Sequence, residues 1–503
     1  MKRATRIHCG ALFLAAILLA SCGSTSWSLP QGFPFGKHRG SGSSPIKHVV
    51  VLIQENRSFD NFFATFPGAH GATRGKEKVK VNGTYVDKWL KLKPEPLLIT
   101  KYDLEHCRAG YLKAYDGGKM DGFNLETKNS CGNGTPAGAL PYHYVNPSDI
   151  APYWDIAEQW ALADEMFQTQ GSGSFTAHKD LIRGNTCIAA CPAPSSSPSS
   201  SELSLVDNPT YWPWGCDAHS SVVTDTLDIY GVERQNGPFP CSNKFPNYSG
   251  SGGYATLATL LDTAGVSWKY YTPCFSSKDQ PGCNPSSDCS GSLPNCNGSL
   301  LNAFDVIYPV RYGAEWGTSV SWPETNIFSD ISNGTLPAVS WVIPEDANSD
   351  HPIQPCGCDH GPAWVASVVN AIGESSYWDS SVVIVLWDDW GGFYDNAPPP
   401  FLDELGGLGF RVPMLVVSPY AIAGSGSSGG YISHTQYEFA SILAYIEQNW
   451  NLGTLGTTDT RATSIGDIFN YRQAPRTFTA IPSDRSAEYF IRHARTVQRG
   501  DPE

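Results

Sequence analysis

The sequence lacks an excess of basic residues, and this absence argues against one large class of partners. It holds 34 Lys and Arg against 48 Asp and Glu, a formal net charge of -14. Because phosphate backbones need a basic footprint on the protein, we expect no nucleic-acid partner. A small phosphate-bearing substrate remains compatible with the charge, since a bound cation can invert the local field.

Two further absences narrow the class of protein. Beyond the first 22 residues, no apolar run is long enough to cross a bilayer. The cysteines also lack the paired C-x-x-C spacing of a zinc site. Twelve of the 14 cysteines follow residue 22, an even number that favours a disulfide framework in an exported protein. The sequence alone leaves their pairing open.

The N-terminal residues are typical of a signal peptide. A basic start precedes the apolar run from Ala11 to Ala20, which is too short for a bilayer span. Cys22 directly follows Leu-Ala-Ser, which resembles a bacterial lipobox and predicts acylation of Cys22. A plain signal peptide with an incidental cysteine is the alternative. We expect a lipid-anchored protein of the bacterial cell envelope, facing the periplasm or the surface, with Gly23 hinting at the outer membrane.

Composition divides the chain into four segments. Residues 1–21 are the predicted lipoprotein signal peptide, and the Ser-, Gly- and Pro-rich residues 22–45 are a predicted tether. Residues 46–475 contain no comparable linker and no internal repeat, so we predict one large catalytic domain there. Residues 476–503 are a predicted C-terminal tail.

Two predicted strands end on pairs of oxygen-bearing side chains. The predicted first strand of the domain, Ile46–Ile53, leads to Glu55-Asn56, and the apolar run Val382–Leu386 leads to Asp388-Asp389. Runs without polar alternation are typical of strands covered on both faces of a parallel sheet. Ligand sites in such sheets lie beyond the carboxyl ends of the strands, so we expect a four-oxygen cation site there. Taken singly, each pair could equally cap a turn or face solvent.

A serine and several histidines are further candidates. Ser174 opens a predicted helix that runs through Ile182, where it could be a simple N-cap or lie at an anion site. A metal touching its hydroxyl would make it a nucleophile. His351 follows the predicted strand Pro337–Pro344 and could protonate a leaving oxygen. A lone histidine is more often structural, and this alternative applies equally to His106 and His178. His434 is a weaker candidate.

Two more elements are predicted near the end of the catalytic domain. The run Arg411–Pro419 is expected to be the last strand, and it carries no obvious ligand. The segment Tyr437–Trp450 has the pattern of an amphipathic helix that covers the sheet.

Four short motifs occur in a fixed order along the chain: Glu55-Asn56-Arg57-Ser58-Phe59-Asp60, Gly171-Ser172-Gly173-Ser174-Phe175, Ser349-Asp350-His351-Pro352 and Trp387-Asp388-Asp389-Trp390-Gly391-Gly392-Phe393-Tyr394-Asp395. Together they resemble the bacterial phosphoesterase family of non-specific phospholipases C and acid phosphatases. The likeness extends from about Ile46 to Gln448. It implies an alkaline-phosphatase-like α/β fold, with a mostly parallel central sheet flanked by helices and long disulfide-bearing loops.

The resemblance also implies roles for individual residues. Glu55, Asn56, Asp388 and Asp389 would hold a divalent metal, and Ser174 would complete its shell as the nucleophile. Two histidines would act on the phosphoryl group: His351 would contact it or assist the leaving group, and His106 would do similar work.

One motif departs from the phospholipase C pattern. Members of that branch often carry a threonine followed by His-Pro-Asn-Arg at the nucleophile, whereas Ser174 is followed by Phe-Thr-Ala-His178. This difference places the chain nearer the phosphatase-like branch. It leaves His178 as a candidate phosphate contact whose role is open.

These observations predict a metal-dependent hydrolase of phosphate esters with a serine nucleophile. The substrates would be phosphomonoesters or phospholipid headgroups, and the metal calcium, magnesium, manganese or zinc. The alternative is a non-catalytic phosphate-binding or adhesion lipoprotein on the same fold. A binding module has no need of a nucleophile beside metal ligands, which favours the enzyme. The oligomeric state is left open.

Overall fold

The computed structural model describes residues 44–494, apart from residues 100, 130, 133, 189–202, 211–213, 219, 229–230, 235–236, 246–253, 275–300, 353–358, 401–406 and 425–428. Its strands are β1 (His48–Gln54), β2 (Arg74–Val81), β3 (Thr84–Lys91), β4 (Lys93–Glu95), β5 (Thr127–Lys128), β6 (Thr135–Pro136), β7 (His143–Val145), β8 (Ala161–Ala163), β9 (Met166–Phe167), β10 (Leu203–Val206), β11 (Asp225–Asp228), β12 (Glu233–Arg234), β13 (Trp268–Tyr271), β14 (Val320–Ser321), β15 (Val339–Val342), β16 (Ser381–Trp387), β17 (Met414–Val417), β18 (Tyr431–Ser433) and β19 (Tyr437–Glu438). Its helices are α1 (Phe59–Phe63), α2 (Arg108–Tyr115), α3 (Ala151–Gln159), α4 (Ser174–Arg183), α5 (Leu257–Ala264), α6 (Tyr308–Arg311), α7 (Asn326–Ser332), α8 (Gly361–Gly373), α9 (Phe439–Trp450) and α10 (Ala487–His493).

The largest sheet has eight strands in the order β14-β13-β15-β1-β16-β17-β8-β18. Strand β17 runs antiparallel to both of its neighbours, β16 and β8, and the other adjacent pairs are parallel. The predicted α/β class with a mostly parallel central sheet is therefore confirmed.

Strands β1 and β16 lie side by side in the middle of this sheet. Both consist mainly of Val, Ile and Leu, and every residue of β16 is buried, which requires cover on both faces of the sheet. Their parallel register pairs Gln54 with Trp387. The residues that follow these two, Glu55 and Asp388, therefore leave the sheet next to each other at the same edge.

Helices pack in pairs against the sheet. Helix α3 contacts α8, and α4 contacts α9. Trp341 of β15 donates from its indole nitrogen to the Leu181 carbonyl at 3.2 Å, which fixes α4 on the sheet. Helix α4 ends at Gly184, whose φ of 84° is the left-handed conformation that glycine favours.

Two predicted elements differ from the structure. The strand predicted at Arg411–Pro419 forms as β17, but β18 and β19 follow it, so it is not the last strand. The helix predicted from Tyr437 begins at Phe439, because Tyr437 and Glu438 pair with β9. Glu438 then caps the helix with its side chain.

Disulfides join the loops, as predicted for the cysteines. Cys107 is bonded to Cys131, and Cys216 to Cys241. Among the residues that the structure describes, no helix is both long and apolar enough to span a bilayer.

The predicted segment boundaries remain predictions. Contacts group Ser44–Glu503 into one unit, and two residues of the predicted tail, Ile481 and Phe490, are buried against the main core. The signal peptide, Cys22 and nearly all of the tether lie outside the described residues.

Gly391 allows the turn after β16 to approach the turn after β1. Its φ is 60°, and a Cβ atom at this position would lie 2.1 Å from the Asn56 carbonyl oxygen. We predict that Gly391→Ala lowers the free energy of unfolding by strain of about 1–2 kcal/mol plus about 1–3 kcal/mol for the steric clash. Chemical denaturation measures this loss.

Gly334→Ala is the matched control for that experiment. Gly334 has a φ of 75°, and a Cβ atom there would meet nothing within 4 Å. The control should therefore lose only the strain component. Equal losses in the two variants would contradict a steric role for Gly391.

Candidate active site

Four oxygen-bearing residues meet at the carboxyl ends of β1 and β16, as predicted. Glu55, Asn56, Asp388 and Asp389 are all buried. One terminal atom of the Asn56 side-chain amide lies 3.1 Å from Asp388 Oδ1 and 3.3 Å from Asp389 Oδ2. The structure therefore gathers the predicted four residues at one place.

Backbone hydrogen bonds orient both aspartates. Asp388 Oδ1 accepts from the backbone N–H groups of Asn56 at 3.0 Å and of Asp389 at 2.7 Å. Asp389 Oδ1 accepts from the N–H of Gly391 at 2.7 Å. These bonds determine which oxygen of each carboxylate faces the neighbouring side chains.

The buried carboxyl groups test whether this cluster fits a cation. Glu55, Asp388 and Asp389 are all buried, and ligand atoms of Glu55 and Asp388 lie within 4.8 Å of each other. Buried carboxylates this close repel one another unless positive charge or protons compensate them. The charge of a divalent cation would compensate them, and hard oxygen ligands are the donors that such a cation takes.

Ser174 lies against this oxygen cluster. Its hydroxyl is buried, 3.1 Å from Asp389 Oδ2 and 3.3 Å from Asn56 Oδ1. It is the first residue of α4, after the N-cap Gly173, so the positive end of the helix dipole is directed at it. The hydroxyl thus combines a carboxylate acceptor with a field that favours negative charge.

His178 lies on the side of the oxygen ligands, next to Glu55. Its Nε2 is 3.2 Å from Glu55 Oε1 and 3.7 Å from Asp388 Oδ2. Ligand atoms of these three buried residues lie within 4.8 Å of one another. This position suits a metal ligand better than the predicted phosphate contact. Residues four apart lie on the same face of a helix. The spacing between Ser174 and His178 therefore indicates that both side chains face this site.

His106 and His351 lie together on the other side of Asn56. Their rings are 6.1 Å apart, edge to face, and His106 Nε2 is 3.4 Å from the Asn56 amide nitrogen. A side chain that the sequence analysis missed, Asp103, brings a carboxylate oxygen within 4.8 Å of both histidines. Asp103 lies in a loop without periodicity, so no sequence pattern indicates it.

Comparison with known proteins decides the family. The model of the phosphoesterase family matches residues 46–453. The chain belongs to the phosphoesterase family. This membership confirms the predicted resemblance.

Several curated relatives of this phosphoesterase are bacterial phospholipases C. The chain is 25% identical to a non-hemolytic phospholipase C of Burkholderia pseudomallei, over 88% of this chain and 62% of the relative. It is 24% identical to phospholipase C A of Mycobacterium tuberculosis, over 89% of this chain and 82% of the relative. These relatives support the predicted enzyme class, a phosphoric ester hydrolase. The chain spans less than two thirds of the Burkholderia protein.

Solved structures are more distant from the phosphoesterase chain. A protein of the alkaline phosphatase superfamily from Vibrio parahaemolyticus is 10% identical and aligns with 85% of this chain and 72% of its own, with a TM-score of 0.31.

Covalent and ionic contacts hold the His106 loop of the phosphoesterase. The neighbouring Cys107 is bonded to Cys131. The buried Glu105 accepts from the backbone N–H of Thr127 at 2.6 Å and from Lys113 Nζ at 2.8 Å. Because the residues on both sides of His106 are held in place, the His106 ring keeps its position relative to Asn56.

A buried carboxyl holds the loop that carries His351. Asp350 Oδ2 accepts from the Tyr153 hydroxyl at 2.7 Å and from the Trp387 indole at 2.9 Å. Its backbone N–H donates to the side chain of Gln54 at 3.0 Å. Removal from water raises the pKa of Asp350 to about 6, although both hydrogen bonds and Arg57 oppose the rise.

This shift predicts a pH-dependent contribution to stability. The carboxyl is ionised less readily in the folded protein than in the unfolded chain, so its stabilising contribution is complete at low pH. It should fall by about 3 kcal/mol as the pH rises from about 4 to above 6. The measurement is the difference in free energy of unfolding between the wild type and Asp350→Asn across this range.

Asp484→Asn is the matched control, since the Asp484 side chain is 70% exposed. The difference between the wild type and Asp350→Asn should change much more over this pH range than the difference between the wild type and Asp484→Asn. Equal changes for the two variants would refute the assigned effect of burial.

Proposed function

We propose that this phosphoesterase is a metal-dependent hydrolase that uses Ser174 as its nucleophile. The observation that carries the proposal is the position of the Ser174 hydroxyl. It lies 3.1 Å from Asp389 and 3.3 Å from Asn56, inside the oxygen cluster and at the start of α4. A serine that only capped the helix would have no need of this cluster.

In the first step, Ser174 Oγ attacks the phosphorus atom of the ester. The bond from Oγ to phosphorus forms, and the bond from phosphorus to the ester oxygen breaks. Asp389 Oδ2, the acceptor of the hydroxyl hydrogen bond, is placed to take the serine proton. His351 or His106 gives a proton to the departing oxygen. The products are a phosphoserine and a free alcohol.

In the second step, water attacks the phosphoserine. The bond from the water oxygen to phosphorus forms, and the bond from Oγ to phosphorus breaks, which releases the phosphate group. Asp389 returns its proton to Ser174 Oγ. The histidine that protonated the leaving group is now neutral, and it takes a proton from the water. The site then returns to its starting protonation state.

The residues that would hold the cation are Glu55, Asn56, Asp388 and Asp389, with Ser174 and His178 beside them. A bound divalent ion lowers the pKa of a neighbouring hydroxyl and neutralises charge on the phosphate oxygens. Because the donors are mainly oxygen atoms, they suit calcium, magnesium or manganese, and His178 adds a nitrogen that also suits zinc.

The phospholipase C relatives favour a phosphodiester substrate, a phospholipid that releases its phosphorylated headgroup. A phosphomonoester is the alternative substrate for the same site. A non-catalytic phosphate-binding lipoprotein is the alternative function, and the buried serine beside carboxylates argues against it.

Ser174→Ala should lower turnover at least about a thousand-fold, because the nucleophile is lost. The measurement is hydrolysis of p-nitrophenyl phosphorylcholine and of p-nitrophenyl phosphate, with and without a chelator.

A chelator should abolish activity, and added divalent metal should restore it. Preference for the first substrate makes the protein a phosphodiesterase, and preference for the second makes it a phosphatase.

Ser332→Ala removes an exposed serine and should keep full activity. The nucleophile assignment fails if Ser174→Ala turns over like this control. If neither substrate is hydrolysed with any metal, the binding-protein alternative is favoured.

We also propose that the mature chain is anchored in the cell envelope by lipid on Cys22. The lipobox-like Leu-Ala-Ser-Cys22 supports this proposal. Cys22→Ser should abolish incorporation of labelled fatty acid and release the protein from the membrane fraction. Cys9→Ser, a change inside the predicted signal peptide, should leave both properties intact. Fatty-acid labelling that survives in Cys22→Ser would disprove the anchor.

A further inference from the structure

The hairpin of β2 and β3 is a basic and aromatic element on an acidic protein. Residues 74–91 hold six basic and two acidic residues, a net charge of +4, whereas the whole chain carries -14. The strands turn at Asn82 and Gly83, with φ values of 49° and 86°, which suit a tight two-residue hairpin turn. The hairpin therefore differs in charge from the rest of the surface.

The strand register puts the basic and aromatic side chains on one face. Arg74 pairs with Lys91, Lys76 with Trp89, Lys78 with Asp87 and Lys80 with Tyr85. Because alternate residues of a strand share a face, these eight side chains point the same way. We call this set of side chains the basic face.

Cations lie over the aromatic rings of the basic face. The side-chain nitrogen of Lys76 is 5.5 Å from the ring centre of Trp89, and that of Lys80 is 5.9 Å from that of Tyr85. Lys78 instead pairs with Asp116. Lys76 and Lys80 are thus held beside aromatic rings.

The aromatic residues of the hairpin are unusually exposed. Tyr85 is 54% exposed and Trp89 is 55% exposed, and both belong to the basic face. A cluster of exposed apolar side chains is unfavourable in water and marks an interaction surface. Tyr and Trp combine an apolar ring with a polar atom, as side chains at membrane interfaces do.

The root of the hairpin packs against the active-site loop. A Cβ atom at Gly75 would lie 2.8 Å from the ring of Tyr394, and Leu92, directly after the hairpin, shares a buried cluster with Trp390 and Tyr394. These two aromatic residues follow the metal-ligand candidate Asp389 in the chain. The hairpin is therefore attached to the part of the molecule that carries the proposed chemistry.

We propose that the basic face of this hairpin binds an anionic phospholipid surface. Lysines are attracted to anionic headgroups, and the rings of Tyr85 and Trp89 enter the interface between headgroups and acyl chains. The charge complementarity selects this partner, because an acidic protein is otherwise repelled by such a surface. The proposal rests on the proposed function, since the hairpin would present lipid substrate to the active site.

The test is co-sedimentation of the full chain with vesicles. The protein carries Cys22→Ser, so that no attached lipid contributes to binding, and the vesicles are phosphatidylcholine with or without phosphatidylglycerol. We expect binding to the anionic vesicles that weakens as salt is added. Trp89→Ala should reduce affinity about tenfold, and Lys80→Ala about fivefold. Trp89→Tyr keeps an interfacial ring and should retain most of the binding.

Lys88→Ala is the matched control. It removes the same charge from the same hairpin, but Lys88 lies on the opposite face, where it pairs with Glu77. We expect less than about a twofold change from it, because the charge does not face the lipid. Equal effects of Lys80→Ala and Lys88→Ala would overturn the assignment of the basic face. Two results would show that the partner of the basic face is not an anionic lipid surface. One is equal binding to vesicles with and without phosphatidylglycerol. The other is a dimer of the wild-type protein that Trp89→Ala does not form.

Hydrolysis of the soluble p-nitrophenyl esters separates this proposal from the proposed function. Trp89→Ala should hydrolyse them like the wild type, and Ser174→Ala should bind vesicles like the wild type. Hydrolysis without vesicle binding would refute the hairpin proposal alone. Vesicle binding without hydrolysis would support the hairpin proposal and refute the proposed function.

Discussion

The structure depends on an electrostatic constraint at the edge of the central sheet. Glu55, Asp388 and Asp389 bring three carboxyl groups together in a place from which water is excluded. Buried carboxylates this close destabilise a protein unless a cation or donated protons compensate them. The cluster is therefore costly to the fold, and binding of a divalent ion is the compensation that its donor set suits.

The surrounding structure serves to keep these groups together. The parallel register of β1 and β16 brings Glu55 and Asp388 side by side, and Gly391 permits close approach of the second turn. Helix α4 supplies Ser174 and, one turn later, His178. On the far side of Asn56, a disulfide next to His106 and the buried Asp350 next to His351 hold the two histidines. The disulfide and the hydrogen bonds of Asp350 act on residues next to the two histidines. These contacts position the site, although their residues take no part in the proposed chemistry.

Much of this site could be predicted because its residues follow strong local signals. Glu55 comes one residue after the apolar run Val49–Ile53, Asp388 comes directly after the apolar residues 382–387, and Ser174 follows a glycine-rich turn. The adjacency of the two strands could not be predicted, since strand order depends on long-range packing. Asp103 reaches the site through a loop with no periodic pattern, and only the fold places it beside the histidines. The hairpin of β2 and β3 was not predicted, although Asn-Gly is a common two-residue hairpin turn, and its exposure depends on what packs against it.

The most direct test of this account is calorimetric titration of chelator-treated protein with divalent cations. The account predicts saturable binding to the wild type and at least about tenfold weaker binding to Asp389→Asn, because a direct ligand loses its charge. Asp350→Asn, a buried change whose carboxyl faces Tyr153 and Trp387, should bind like the wild type. Absence of cation binding to the wild type, or equal binding by Asp389→Asn, would contradict the central claim that these oxygens hold a metal.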